Sequence, residues 1–541
     1  MSGANYWEEP FTAEERSLLA RYFSNLDSPV CALVNLPEIV KGALFARYSR
    51  SPKSIRRLFL DEFVKNPELG IAAIATQSSD DGPLNTRRAT ELYERIFTEY
   101  GDDSVAQLGG VHLACEQASN ILTKVLEWGR LAAYLEQSTR YIYYDVRLGS
   151  RYRYFIPPEI ATSQLRDEYT TTLDGLFDTY RELVPTLTSY YERLCPKSPS
   201  DPPAVWKSTI RARVCDDLRG LLPAATLSNV GIFADGQAIE ALLLRMRAHP
   251  LAEVRDYSDL ILREAKNVVP SFVRRVELPD RGGRWTAYLK SIADAMDVFA
   301  ADFKKEPEQR PEVILTEWDP DAEIRIAAAA LYSVTALPDD QLLALVRQMS
   351  DGERSDLLRA YIGDRGNRRH KPGRAMERAF YRFDILGDYG LFRDLQRHRM
   401  LTVEWQKLSP VHGYDVPPAL LENGLEMPWR NAMESATRLF QRIADAHGDA
   451  AAQYVVPLAY KIRFYFHLNV REAFHLLELR TSPAGHPNYR RVCQEMHRLI
   501  REQAGHKVLA DAMIFVDHDS YELGRLDAER KTAAKSSTMP A

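Results

Sequence analysis

Three basic residues, Arg397, His398 and Arg399, follow one another directly after the apolar-flanked run GDYGLFRDLQ. Cations bunched at the end of a helical run invite an anion, because a hydrogen bond to a charged group contributes about 1.5 to 3 kcal/mol net. A solvated basic corner that merely complements a helix dipole has the same appearance. A second group lies in LNVREAFHLLELR, Leu468 to Arg480. There Arg471 and His475 share one helical face, while Leu468, Leu476 and Leu479 suit a buried one. The competing reading is an ordinary surface face with Glu472 and Glu478 as solvated partners. The third group is EQSTRY, in which Glu136, Ser138 and Arg140 alternate, followed by Arg219 in LRGLLP. Alternate side chains of an extended segment point the same way, and Arg with Ser suits a phosphate. A cross-strand Glu to Arg pair accounts for the same residues without a ligand.

Helices must position most of these groups. HLACEQASNILTKVLEW, AIEALLLRMRAH, IRIAAAALYSVTA and VREAFHLLELR all place apolar residues at helical spacing. The stretch from Tyr141 to Ile156, rich in Tyr, Arg and Ile around Gly149, reads as extended or hairpin structure ending at Pro157 and Pro158. An α+β class follows.

At 541 residues the chain holds more than one core, and its 45% hydrophobic and 27% charged residues are those of a globular enzyme. A formal charge of -5 gives no field that attracts nucleic acid in bulk, so a small ligand is expected and nucleic acid is not. No apolar run is long enough to span a bilayer, and the acidic opening MSGANYWEEPF is unlike a signal peptide, so a cytoplasmic location away from membranes is expected. The five cysteines are scattered and contain no CxxC pair, which argues against a disulfide framework and a zinc cage. No metal site is expected.

Several anchors recur in the same order in both halves. EIVKGALFARYS from Glu38 resembles EIRIAAAALYS from Glu323, and EWGRLAAYLEQSTRY from Glu127 takes the place of QRHRMLTVEWQKLS from Gln396. YFIPPEI answers GYDVPPALL, and LRGLLP ending at Pro223 answers AQYVVP ending at Pro457. Four pairs in register favour a duplication. The expected division is an N-terminal helical segment 1–30, a first copy 31–275, a linker 276–310 where Gly, Pro and mixed charge break the helical pattern, a second copy 311–525, and a disordered tail 526–541.

Together these pieces resemble the flavin-dependent thymidylate synthase family, whose motifs run RHRxxSxNExSxRY and later ARxVLP, NxRE, H and LR. Arg397-His398-Arg399 matches the opening of the first motif, and Asn469, Arg471, Glu472, His475 and Arg480 match the later one in spacing and type. The departures are complementary. The second copy carries Lys407, Ser409 and Gln453 where the motif has Ser, Arg and Arg, so it lacks the phosphate end. The first copy carries Trp128-Gly129-Arg130 for RHR and Asp235-Gly236-Gln237 for NxR, yet keeps Glu136, Ser138, Arg140, Tyr141 and Arg219.

The resemblance implies two tandem copies of a fold with helices packed on a small, mostly antiparallel sheet. It implies that the two copies build one surviving composite site. Arg397, His398, Arg399, Asn469, Arg471 and His475 would hold FAD, with Ser104 in the place of the family's flavin-touching Ser or Thr. Glu136, Gln137, Ser138, Arg140 and Arg219 would hold the nucleotide and its phosphate, and Arg480 would stabilise charge on the pyrimidine. The implied reaction is C5 methylation of dUMP to dTMP, with NADPH and methylenetetrahydrofolate as co-substrates and no cysteine nucleophile. The alternatives are C5 alkylation of another pyrimidine nucleotide, for which Asp394 and Trp405 depart from the pattern, and a non-catalytic flavin or nucleotide binder. The family is a homotetramer of single domains, so a fused pair would form a homodimer with four domain copies.

Overall fold

Both copies build their core from one local device, a strand that runs into a helix capped by a polar side chain. In the computed structural model, residues 9–27, 31–48, 51, 53–65, 107–147, 149–199, 201–303, 305–521, 524, 526 and 530 are described. In the first copy β1 (Gly110–Ser119) leads to the helix Asn120–Leu126, β2 (Ala132–Glu136) follows, and β3 (Leu227–Asp235) leads to the helix Gly236–Arg247. The second copy adds β4 (Val313–Trp318). Thereafter β5 (Phe380–Asp388) leads to Tyr389–Leu395, β6 (Leu401–Trp405) follows, and β7 (Lys461–Asn469) leads to Val470–Arg480. The oxygens of Ser119, Asp235, Asp388 and Asn469 each accept a backbone N–H of the first helical turn. Each cap satisfies a donor that the helix leaves open.

The sheets repeat the same order, β1-β3-β2 and then β5-β7-β6 with β4 added beyond β5. β2 pairs antiparallel with β3, Glu136 facing Val230. β5 and β6 both pair antiparallel with β7, so that Leu468 lies between Tyr381 and Leu401. Along β7 the buried residues Ile462, Phe464, Phe466 and Leu468 alternate with half-buried polar ones, the pattern of a strand with one face on the core. The fold is therefore α+β, two tandem copies of helices on a small antiparallel sheet.

By packing, the chain divides into two compact units that cut across the copies. One comprises Met1–Glu116, Leu131–Glu136 and Asn229–Lys305, and the other Gln117–Arg130, Gln137–Ser228 and Glu306–Ala541. Within the second unit the copies meet backbone to backbone at Pro223 and Pro457. Ala224 N–H donates to Val456 O at 2.8 Å, and Leu458 N–H returns the bond to Leu222 O at 2.9 Å. Ala225 to Tyr454 at 2.8 Å is answered by Ala459 to Gly220 at 3.0 Å. This is a local pseudo-twofold, and the helices Arg166–Leu194 and Glu426–His447 of the two copies pack in the same unit. Gly220 has no room for a side chain, since a Cβ there would lie 2.6 Å from the Trp429 ring.

Four expectations change. HLACEQAS is β1 rather than helix, and the helix begins only after the Ser119 cap; a short apolar run does not distinguish the two by period alone. The described residues of Tyr141–Ile156 form no hairpin. They cross the helix Arg166–Leu194, with Tyr152 Oη donating to Asp178 at 2.7 Å and Tyr154 Oη to Asp174 at 3.0 Å. β2 ends at Glu136, and Ser138 to Arg140 turn rather than alternate, because Ser138 Oγ accepts Arg140 N–H at 3.2 Å. The linker contains a full helix, Arg284–Ala300, which its glycines precede rather than interrupt. At the N-terminus Ala13–Leu19 is a helix with a Thr12–Glu15 capping box. Of the tail, residues 531–541 lie outside the described residues, while Arg530 makes two bonds to Asp201 at 2.6 and 2.7 Å. Cys115, Cys215 and Cys493 are buried, Cys31 and Cys195 are half-buried, and all five are free thiols.

Candidate functional site

β5, its capped helix and the turn into β6 carry Asp394 and Arg397-His398-Arg399 to the end of the helix Val470–Arg480. His398 is buried and touches that helix twice: Nδ1 lies 2.7 Å from Glu472 Oε1, and Nε2 accepts the Nε–H of Arg480 at 2.9 Å. A guanidinium has no acceptor, so the Nε2 lone pair must face Arg480 and the ring proton must sit on Nδ1, donated to Glu472. Burial pushes the imidazole down to about 4 against the pull of Glu472, which keeps it neutral near pH 7. Glu472 is held at about 2: burial opposes this, but hydrogen bonds from His398 and His475 outweigh it. His475 Nδ1 lies 3.2 Å from the other Glu472 oxygen.

These three side chains offer ligand atoms within 4.8 Å of one another, a spacing that a metal ion could use. The tautomer argues against it, because the Nε2 lone pair of His398 is taken by a cation and Nδ1 carries the proton. The cluster orients Arg480.

The phosphate-type residues of the first copy lie in the same unit. Arg140 is buried and forms a fork on Asp216 at 2.6 and 2.8 Å, and its Nη1 donates to Tyr489 Oη at 3.0 Å. Arg480 also lies over that ring, its Cζ 5.5 Å from the centroid, against 5.6 Å for Arg140. One tyrosine of the second copy thus joins a cation from each copy. Arg219, buried at the end of the helix Pro203–Leu218, donates through Nη1 to Asp394 at 2.9 Å. Its Nη2 is buried with no hydrogen-bond partner among the described residues, a donor left for a ligand acceptor. Burial raises an acid, yet Arg140 holds Asp216 well below the usual carboxylate range, and Arg219, Arg140, Arg397 and Arg480 do the same for Asp394. His486, buried and pushed down to about 3, donates its Nε2 proton to the Asp216 carbonyl at 3.2 Å.

The remaining sequence-derived residues are placed as follows. Arg397 is exposed and Arg399 half-buried at the turn into β6. Asn469 spends its side-chain oxygen on the helix cap, accepting Glu472 N–H at 2.9 Å, and keeps its amide protons for other use. Arg471 is tied to the Pro372 carbonyl at 2.9 Å and to Glu377 at 3.1 Å. Ser138 orients Arg140 through its backbone, and Gln137 offers its carbonyl to Ser228 Oγ at 3.4 Å. Glu136 is buried at the end of β2 in the other unit, and Ser104 lies outside the described residues.

Sequence reasoning missed Asp216, His486 and Tyr489 as members of the cluster. SPAGHPNYR, Ser482 to Arg490, carried a usable signal: a Pro at the first turn of a helix with a His and a Tyr on either side.

The degenerate positions have become structural. Trp128 Nε1 donates to Val403 O at 3.3 Å, and Arg130 to Thr402 Oγ1 at 3.1 Å, so the former RHR of the first copy now braces β6. Trp405 packs edge-on against Trp128. Gln453 accepts Leu408 N–H at 2.9 Å.

Fold and site define a duplicated α+β protein in which basic residues of both copies gather around one tyrosine and two buried acids. The chain belongs to the family described as thymidylate synthase complementing protein, whose family model matches twice, over residues 60–271 and 313–505. It is a tandem duplication with diverged halves. A UPF0159 protein of Chlamydia muridarum is 40% identical over 531 residues, covering 97% of this chain and 99% of that one. A flavin-dependent thymidylate synthase of Clostridium tetani is 25% identical over 224 residues, 39% of this chain and 83% of its own. Among solved structures, a UMP/dUMP methylase from Streptomyces cacaoi covers 37% of this chain and 93% of its own at 18% identity and a TM-score of 0.29, too low to speak to the placement of any side chain.

Proposed function

We propose that this protein methylates a pyrimidine nucleotide at C5, in the manner of dUMP to dTMP, with FAD as cofactor and NADPH and methylenetetrahydrofolate as co-substrates. The observation that carries the reading is the meeting of Arg140 and Arg480, one from each copy, at the ring of Tyr489. The family supports pyrimidine chemistry, and the Clostridium tetani relative supports a flavin.

The donor set fits such ligands. Arg219 Nη2 is a buried donor awaiting an acceptor, and Arg397, Arg399 and Arg471 suit a dinucleotide's diphosphate. When bound, reduced FAD supplies the hydride that completes the new methyl group. The chain's own residues orient and stabilise. His398, neutral and fixed by Glu472, holds Arg480 so that a cation faces the pyrimidine as negative charge develops on the ring. Arg140, steadied by Asp216 and Tyr489, and Arg219 take the phosphate. The assembly is a homodimer in the cytoplasm; among the described residues no helix is long and apolar enough to cross a membrane.

A second reading is C5 alkylation of a different pyrimidine nucleotide, favoured by the Asp394 carboxylate on Arg219, which a phosphate must share or displace. Purified full-length protein separates the readings. The first expects a yellow protein, bleached by NADPH, that releases tritium from C5-labelled dUMP only when methylenetetrahydrofolate is present. Release from another labelled pyrimidine nucleotide alone selects the second. A colourless protein that binds dUMP without turnover overturns both and leaves a binding protein.

A further inference from the structure

The join between the copies carries an apolar face that neither copy uses. Residues 272–312 lie outside both matched regions, and within them the helix Arg284–Ala300 has no buried residue. Trp285, Tyr288, Ile292, Met296 and Phe299 recur at spacings of three and four, and Phe303 extends the series through the turn that follows. At 100° per residue the six fall within one narrow stripe. All six are exposed, from 43% for Ile292 to 80% for Phe303. Isolated exposed apolar residues need no explanation, but four aromatic residues and two aliphatic ones in a single line do.

The charges flanking the stripe say what fits it. Arg284 stands at its start and Asp302 at its end, on the same flank by helical angle. When two such helices lie antiparallel, equal flanks face each other across the seam, so Arg284 of each copy meets Asp302 of the other. In the same register Trp285 lies opposite Phe303, Tyr288 opposite Phe299 and Ile292 opposite Met296. The surface is complementary to itself under a twofold axis, as an isologous interface requires. A parallel pair would set Arg284 level with Arg284 and Asp302 level with Asp302, so neither charge would meet its complement. We propose that the docking partner of the helix Arg284–Ala300 is the same helix of a second copy of this chain, antiparallel. The proposal stands apart from the nucleotide chemistry, since no residue of that cluster takes part.

Full-length protein tests this in two ways. In sedimentation velocity at micromolar concentration the chain runs as a dimer. Ile292→Asp with Phe299→Asp weakens association about tenfold or more, the effect of placing charge at the centre of an apolar contact. Arg284→Asp weakens it, and Arg284→Asp with Asp302→Arg restores it. Orientation is read by disulfide trapping. A mixture of Trp285→Cys and Phe303→Cys proteins forms cross-linked dimers, while each variant alone does not, because antiparallel packing sets like positions about 27 Å apart. A monomeric wild type overturns the proposal, as it would if another part of the same chain covered the stripe. So does a dimer that the Ile292 and Phe299 substitutions leave intact, or cross-linking by each variant alone and not by the mixture.

Discussion

Arg480 and His398 share one hydrogen bond, Nε to Nε2 at 2.9 Å, whose direction is fixed because only the imidazole can accept. Arg480→Ala is accordingly expected to leave flavin bound and to lower turnover by about 10²-fold or more, the loss that follows removal of one preorganised charge donor. Bound flavin by absorbance and single-turnover rates measure the two effects; an unchanged rate removes Arg480 from the chemistry.

The tautomer also has a pH signature. His398 at about 4 and His486 at about 3, both below their ordinary 6.5, bind protons less readily folded than unfolded. Glu472, at about 2 instead of 4.5, behaves likewise. Depressed folded values mean stability that is present above the unfolded pKa and lost as pH falls toward the folded one. Thermal stability is expected to decline from about pH 6.5 downward, first through the histidines and then through Glu472 below about pH 4.5. A melting temperature that stays flat between those values sinks the assignment of neutral, buried imidazoles.

Asp394 and Arg219 form a buried pair, and breaking such a pair by removing one partner costs about 3 to 5 kcal/mol. Arg219→Ala strands the Asp394 charge and lowers stability strongly. Asp394→Asn leaves a cation that a ligand anion neutralises, so added phosphate or nucleotide recovers more stability in that variant than in the wild type. Equal recovery in both, in a thermal shift assay, argues that Arg219 does not meet the phosphate.

Asn469 and Asp235 are equivalent caps in the two copies, and replacing either by Ala is expected to cost about 1 kcal/mol. Asn469→Asp keeps the acceptor and removes the amide donors. Flavin affinity lost in Asn469→Asp at normal stability assigns those donors to the cofactor; affinity unchanged confines Asn469 to the cap.

Much of this was readable from residue order. The repeated anchors showed the duplication, which the two matched regions bear out. The arginines at 140, 219, 397, 399 and 480, with His398, were visible as motif residues. Their counter-charges were not, because Asp216 and Asp394 acquire meaning only through contacts far along the chain. β1 was hidden for a related reason: its strand character comes from pairing with β3, while its composition equally suits a helix. The Tyr141–Ile156 stretch has strand-like composition, yet its tyrosines serve as struts onto a helix.

The ladder at Pro223 and Pro457 is made by main-chain atoms, so its hydrogen bonds do not depend on which side chains flank the axis, apart from Gly220, where no side chain fits. In a symmetric assembly of separate chains every substitution appears at all equivalent places at once, and an acid useful in one pocket burdens the others. Joining the copies covalently lifts that constraint: Asp394 faces Arg219, while its counterpart in the first copy, Val125, carries no charge at all.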